Sequence, residues 1–271
     1  MINITDEEFE TISRYIKSNY GVDLSKKRSL IEGRLGNYIE ELGFKSYIEY
    51  FESAKRDPKG DEMVGLLNKL TTNYTYFMRE KDHFDFYSSV ILPWVDKELR
   101  TKDLRVWCAG CSTGQEAYTL ALLTIEYLGS LASSWEHTIL ASDISVRALE
   151  QAKKGLFPKS DMEKMPPDWI GKYFKPYDDK LLSADDNLRK SLAFRRLNLL
   201  DPFSFRQPFQ AIFCRNVMIY FDIPTKNALI NKYYDILLPG GYLIIGHSES
   251  LSSCDHRFRY VMPSVFQKPS K

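Results

Sequence analysis

Past about Glu80 the chain stops repeating apolar residues at helical steps and alternates short, dense apolar runs with amphipathic stretches. The runs are "LRVWCAG", "HTILASDI", "FQAIFCRN" and "GGYLIIGHS"; between them lie "GQEAYTLALLTIEYLG", "SVRALEQAKKG" and "TKNALINKYYDILL". Apolar runs without strict alternation fit strands buried on both faces, and strand–helix–strand order makes parallel neighbours with helices packed over them. The pattern predicts an α/β fold with a doubly wound, Rossmann-like sheet. "PGG" at 239–241 predicts a stop for the last helix, and "VMPSVFQK" at 261–268 a closing strand at the sheet edge.

The first 70 residues read differently. Apolar residues recur at three- and four-residue steps in "FETISRYIKSNY", "RSLIEGRLGNYIEELG", "SYIEYFESA" and "MVGLLNKLTTN", which predicts a small all-helical domain. Thr5 with Glu8 makes a capping box, and Ser25 is a second candidate helix start. The segment "FPKSDMEKMPPDWIGKYFKPYDDKLLSADDNLRKSLAFRRLNLL" interrupts the α/β alternation and predicts an inserted β-subdomain, 157–197, with two short strands around "DDKLLSADDNLRKSLAF". The predicted organisation is a helical domain, 1–70, and an α/β domain, 71–271, carrying that insertion.

With 271 residues, 44% of them hydrophobic, the chain has length for a main core and a smaller one. It has no apolar stretch long enough for a membrane span and begins with the acidic "MINITDEEFE", so a cytoplasmic protein with no direct membrane insertion is expected. A net charge of +1 gives no global attraction to nucleic acid. Cys108, Cys111, Cys214 and Cys254 are too scattered for a disulfide framework. Cys108 and Cys111 form a C-x-x-C, but across a strand end and loop rather than at a helix start, so neither a redox pair nor a metal site is expected.

The turn in "VWCAGCSTGQEAYTL" is the first strand-to-helix turn of the sheet, where doubly wound folds bind ligands. It carries Gly110 and Gly114 but lacks the third glycine of a dinucleotide fingerprint. Glu116 stands in the first turn of the following helix, where it would repel phosphate and favour a cationic group. Asp143 ends the second strand, placed to accept from ribose hydroxyls or to cap the next helix. A nucleoside, an ammonium group and no phosphate together describe S-adenosylmethionine.

Two further stretches, "LTTNYTYFMRE" (70–80) and "FCRNVMIYFD" (213–222), join "AGCSTGQEAY", "ASDIS" and "GHSES". In this order the five motifs closely resemble the chemotaxis receptor glutamate O-methyltransferases, the CheR family, over nearly the whole chain. The resemblance implies an S-adenosylmethionine site from Asn73, Thr75, Arg79, Glu116, Asp143, Asn198, Leu199, Arg215 and Asn216, no metal, and S-adenosylhomocysteine as product. It places Arg79 and Tyr220 as the active-site pair beside the transferred methyl. Gln115 departs from the family, where an acidic residue is common.

The partner implied is the cytoplasmic helical bundle of a methyl-accepting chemoreceptor, whose acidic methylation region suits the basic residues Lys26, Lys27, Arg28 and Arg34 of the helical domain. The family's β-subdomain docks a receptor C-terminal pentapeptide in some members, which carry glycines in its connecting loop. This chain has none from Lys172 to Leu200, which predicts the pentapeptide-independent type. Methyltransferases acting on nucleic-acid bases carry an Asn-Pro-Pro-Tyr-like stretch where this chain reads "RNVMIY", so a nucleic-acid substrate is not expected. A catalytically silent adaptor and a nucleotide-dependent oxidoreductase are the readings from other classes. The pair Arg79 and Tyr220 opposes the first, and Glu116 with the missing glycine opposes the second. A monomer is expected.

Overall fold

The computed structural model describes residues 2–58, 60–70, 75–99 and 102–270. Four helices open the chain: α1 (Asp6–Tyr20), α2 (Arg28–Glu41), α3 (Tyr47–Arg56) and α4 (Asp61–Leu70). The Thr5–Glu8 capping box starts α1, with the Glu8 carboxylate accepting from the Thr5 N–H at 2.8 Å. Ser25 does not start α2. Its N–H is donated to the Asp23 carboxylate at 3.0 Å inside a turn, and the helix begins at Arg28 with Lys27 as an N-cap that makes no side-chain hydrogen bond. Ile12, Ile16, Ile31, Leu35, Tyr47, Phe51 and Met63 form the core of this domain.

Short helices α5 (Lys81–Phe86) and α6 (Leu92–Trp94), joined by wider π-turns, lead into the sheet domain. Its main chain runs β1 (Val106–Ala109), α7 (Gln115–Leu128), β2 (Ile139–Asp143) and α8 (Val146–Lys154). After it come β3 (Leu156–Pro158), α9 (Pro167–Tyr173), β4 (Phe174–Pro176), β5 (Leu181–Ala184), α10 (Asp186–Lys190) and β6 (Leu192–Arg196). The chain closes with β7 (Phe209–Cys214), α11 (Ile223–Ile236), β8 (Leu237–Ile245), β9 (Arg259–Met262) and β10 (Val265–Gln267).

Seven strands form one sheet in the order β6-β2-β1-β7-β8-β10-β9, parallel except that β10 is antiparallel to both its neighbours. The order reverses between β1 and β7, which opens a crevice beyond the carboxyl ends of those strands. Trp107 on β1 is fully buried among Phe203, Phe205, Phe209 and Tyr233, and its indole N–H is donated to Ser142 Oγ on β2 at 2.8 Å. That bond satisfies the one polar atom of a large apolar side chain, so the two central strands meet without a buried unpaired donor.

The segment 157–197 divides between two sheets. β3, β5 and β4 make a small antiparallel sheet, whereas β6 pairs in parallel with β2 and forms the edge of the large one. Both strands expected around "DDKLLSADDNLRKSLAF" therefore form, but α10, capped by Asp185 on the Leu188 N–H at 2.7 Å, sends them to different sheets. The "PGG" stretch is strand rather than helix stop. α11 ends at Ile236, and β8 runs through 239–241 with its register against β7 shifted between Phe209 and Ala211. Gly240 has φ +82°, and a Cβ on Gly241 would stand 2.9 Å from the carbonyl oxygens of Gln210 and Leu238, so this irregularity requires glycine.

Candidate active site

Five loops leave the carboxyl ends of β6, β2, β1, β7 and β8, and four of them open on one cavity at the strand-order reversal. In order along the sheet edge the cavity meets Asn198 and Leu199 after β6, Asp143 after β2, Gly110 to Glu116 after β1, and Arg215, Asn216 and Tyr220 after β7. Thr75 and Arg79 enter from the segment before α5. Every cofactor-binding and catalytic residue expected from the sequence except Asn73 lines this one cavity, and the basic residues Lys26, Lys27, Arg28 and Arg34 do not; Asn73 lies outside the described residues. Tyr20, Val22 and Leu67 of the helical domain line it too, a contribution the sequence reading did not assign.

The turn after β1 is held by Asp143. One carboxylate oxygen accepts the Ser112 N–H at 2.8 Å and the other the Ser145 N–H at 2.9 Å. Helix α8 is capped instead by Ser145, whose hydroxyl accepts from the Ala148 N–H. Burial raises the Asp143 carboxyl above the ordinary aspartate value, against the pull of the backbone N–H groups of Ser145, Ser112 and Ile144. Gly110 has φ +91°, and a Cβ there would come within 2.4 Å of Val217 Cγ2. No side chain fits at that point of the cradle.

Glu116 is already paired. Its Oε2 accepts from Arg215 Nη1 at 2.7 Å, and its Oε1 lies 3.1 Å from Cys108 Sγ. Arg215, whose side chain is 1% exposed, spans to a second carboxylate, Glu80, at 3.0 Å and also donates to the backbone carbonyl of Arg79. Glu80 and Glu116 thus flank the Arg215 guanidinium, and Arg79 Nε lies 3.9 Å from Glu80 on the other side. Burial drives the thiols of Cys108 and Cys111 well up, so they are held as neutral SH groups.

Gln115 donates its amide to the Asp161 carboxylate at 2.9 Å, a pairing an acidic residue could not make without like-charge repulsion. Glu249 of "GHSES", also unassigned by the sequence reading, is buried and accepts from the N–H groups of Gly246, Asn216 and Ile219 at 2.6, 2.8 and 3.1 Å. It ties the loop after β8 to the loop after β7. His247 is not isolated: its Nε2 lies 2.9 Å from Asp82 Oδ2, and its ring meets that of buried His83 at 4.6 Å.

Tyr220 is fastened to the helical domain. Its carbonyl accepts the Asp23 N–H at 2.8 Å, Lys27 Nζ lies 4.9 Å from its ring centroid, and Val22 and Phe221 form an antiparallel bridge beside it. Lys27 therefore precedes α2 and faces the cavity wall. Arg28 is turned to Asp6 and Glu32, Arg34 donates to the Lys69 carbonyl at 3.3 Å, and Lys26 is exposed.

The cavity fits the cofactor expected from the sequence. A glycine cradle admits close backbone approach, Asp143 stands on the cavity wall where a nucleoside would meet it, and the carboxylate of Glu116 is held there by Arg215. Fold and site together define a methyltransferase dependent on S-adenosylmethionine.

Comparison with known proteins agrees. Residues 73–266 match the family model described as CheR methyltransferase, SAM binding domain, and residues 7–71 match CheR methyltransferase, all-alpha domain. The chain belongs to the CheR methyltransferase family. It is 38% identical to the chemotaxis protein methyltransferase of Borreliella burgdorferi, covering 98% of this chain and 96% of that protein. It is 33% identical to the chemotaxis protein methyltransferase of Escherichia coli, covering 94% of this chain and 88% of the other. Against chemotaxis protein methyltransferase 2 of Pseudomonas aeruginosa it is 34% identical, with 97% and 93% covered.

Proposed function

We propose that this protein transfers the methyl group of S-adenosylmethionine to glutamate side chains of chemoreceptor cytoplasmic domains, giving glutamyl methyl esters and S-adenosylhomocysteine. The observation that carries this reading is the cavity itself, where Arg79 and Tyr220 share one space with Asp143 and the Glu116 pair.

A glutamate side chain, with an ordinary pKa near 4.3, is ionised at neutral pH and needs no general base. No histidine lines the cavity among the described residues, and burial pushes nearby His83 down to about 4, so it is neutral. The cofactor supplies an electrophilic methyl on a positively charged sulfur. A substrate carboxylate oxygen forms the new C–O bond as the C–S bond breaks and its electron pair stays on sulfur.

Opposite charges disappear in this reaction, so removal of water by Tyr20, Val22, Leu67 and Phe221 favours the transition state over the solvated reactants. Arg79 grips the carboxylate, with its charge tempered by Glu80 3.9 Å away. Tyr220 orients the same carboxylate by its hydroxyl. Alignment of this kind contributes on the order of 7–11 kcal/mol.

Thr75, Asn198, Leu199, Arg215, Asn216 and Asn73 complete the cofactor site in this reading. Lys26, Lys27, Arg28 and Arg34 carry receptor recognition, with exposed Lys26 steering the acidic bundle. The absence of glycine between Lys172 and Leu200 supports action without a receptor pentapeptide, as a cytoplasmic monomer. No helix among the described residues is long and apolar enough to cross a membrane.

The test is transfer of radiolabelled methyl to a receptor cytoplasmic fragment, with and without its C-terminal pentapeptide. Base-labile label at equal rates on both fragments is the expected result, and Arg79→Ala lowers it by about 10²–10³. Label that survives base would refute esterification, and label only on the fragment bearing the pentapeptide would refute independence.

A further inference from the structure

Glu80, which the sequence reading did not assign, accepts from side chains and backbone of three different segments at the site. Oε2 accepts from Arg215 Nη2 at 3.0 Å and from the His247 backbone N–H at 3.1 Å. Oε1 accepts from Asn216 Nδ2 at 3.3 Å and lies 3.9 Å from Arg79 Nε. Its side chain is 13% exposed. Burial pushes its pKa up, but the Arg215 guanidinium and the hydrogen bonds from His247 and Asn216 outweigh this, and the carboxyl is held below the ordinary glutamate value.

These donors come from three places in the chain: the segment before α5, the loop after β7 and the loop after β8. The backbone adds a second observation. Met78 has φ +59° and Glu80 φ +56°, so Arg79 sits between two residues held in the left-handed region, which side chains other than glycine adopt only when surroundings over-determine them. Arg215 fastens this stretch, donating to the Arg79 carbonyl and to the Glu80 side chain at once.

The ligand atoms of Glu80, His83 and His247 also lie within 4.8 Å of one another, the composition of a metal site. Glu80 is engaged on both oxygens by a guanidinium, an amide and a backbone N–H, so binding a cation there would require breaking those contacts.

We propose that Glu80 is a positioning residue for methyl transfer: with Arg215, which bonds both its carboxylate and the Arg79 carbonyl, it sets the aim of Arg79. This rests on the function proposed above. Glu80→Gln keeps the volume, but its amide must face either Arg215 and His247 N–H or Asn216 and Arg79, donor against donor in each case. Misplacement of a gripping residue by about 1 Å costs on the order of 10²-fold in rate.

The experiment uses the full chain and a receptor cytoplasmic fragment, with cofactor affinity by calorimetry, kcat per folded molecule and a thermal melt for each variant. Expected for Glu80→Gln is a kcat loss of about 10–100-fold with cofactor Kd within about threefold. The Arg79→Ala/Glu80→Gln double variant should lose little more than Arg79→Ala alone, because both changes remove one action. Where Glu80→Gln fails to fold, Glu80→Asp, which keeps the charge but withdraws it by one methylene, enters the same cycle with the same expectation. Losses that multiply in the double variant, or kcat unchanged while the melt falls, would overturn the proposal and leave Glu80 a structural brace. If the wild type labels no receptor, the function itself fails, a result separate from a wild type that labels and a variant that labels equally well.

Discussion

Replacing Gly110 by alanine probes the cradle after β1 with two separable penalties. The residue has φ +91°, where an L side chain costs roughly 1–2 kcal/mol. The new Cβ would also stand 2.4 Å from Val217 Cγ2, and overpacking of that kind costs about 1–3 kcal/mol. The sum is about 2–5 kcal/mol in the wild-type background. Val217 is β-branched and stiff, and it lines the cavity, so its displacement should also weaken cofactor binding. With Val217→Ala in place the nearest remaining contact is the position-217 Cβ at 3.7 Å, an ordinary van der Waals distance. Gly110→Ala should then cost only the backbone part, roughly 1–2 kcal/mol. Urea denaturation of the four proteins gives both costs, and calorimetry with S-adenosylmethionine gives the binding arm. Equal costs in the two backgrounds, within about 0.5 kcal/mol, would refute the claim that Val217 is what excludes a side chain at Gly110.

Other perturbations follow the same geometry. His83 is buried and pushed down to about 4 by desolvation and by the nearby Arg215 charge, below its ordinary 6.5. The unfolded chain therefore binds the extra proton between pH 6.5 and 4, so this contribution to stability is complete above 6.5 and is lost as pH falls toward 4. Wild-type stability relative to His83→Leu should fall by about 1 kcal/mol between pH 7 and 5.5; no change would show that His83 titrates normally. The Lys17–Asp222 ion pair, 2.8 Å, lowers Asp222 to about 2 from an ordinary 3.8. Lys17→Met should be less stable than wild type at neutral pH, with the gap closing between pH 4 and 2 in acid titrations. Lys26→Met should raise the KM for receptor and flatten its salt dependence, whereas Lys27→Met, which bares the Tyr220 ring, should lower kcat; the reverse assignment would sink the division between exposed and cavity-facing lysines.

The strands of the large sheet are legible because buried parallel strands need continuous apolar runs, and "LRVWCAG" or "FQAIFCRN" can satisfy little else. The failures have local causes. Ser25 has the chemistry of a helix cap, but Asp23 two residues earlier takes its N–H first. Proline and two glycines read as a stop, yet they also serve as an irregularity inside a strand whose register shifts. Leu192–Arg196 carries a strand pattern without information on which sheet it joins, since that depends on pairing with β2. At the site, gathering of Glu116, Asp143 and Tyr220 follows from loop order in a doubly wound fold. The pairing of Arg215 with Glu80 and Glu116 does not, because ion partners far apart in sequence leave no periodic signal. "FMRE" and "GHSES" carried the only hint, and their glutamates Glu80 and Glu249 are the two carboxylates that bind the loops together.

The helical domain helps build the site itself, beside the receptor recognition proposed for it. Tyr20, Val22 and Leu67 wall the cavity, the Asp23 N–H holds the Tyr220 carbonyl, and Asn198 reaches from the sheet domain to donate to the Asn19 carbonyl at 2.9 Å. Tyr220 thus takes its position from contacts on both domains. A receptor helix bound at the basic residues preceding and opening α2 would press on Lys27, which touches the Tyr220 ring, and through Asp23 on the same loop backbone. Substrate contact and transfer geometry then share residues, so a change in how the helical domain seats on the sheet should alter kcat as well as receptor affinity.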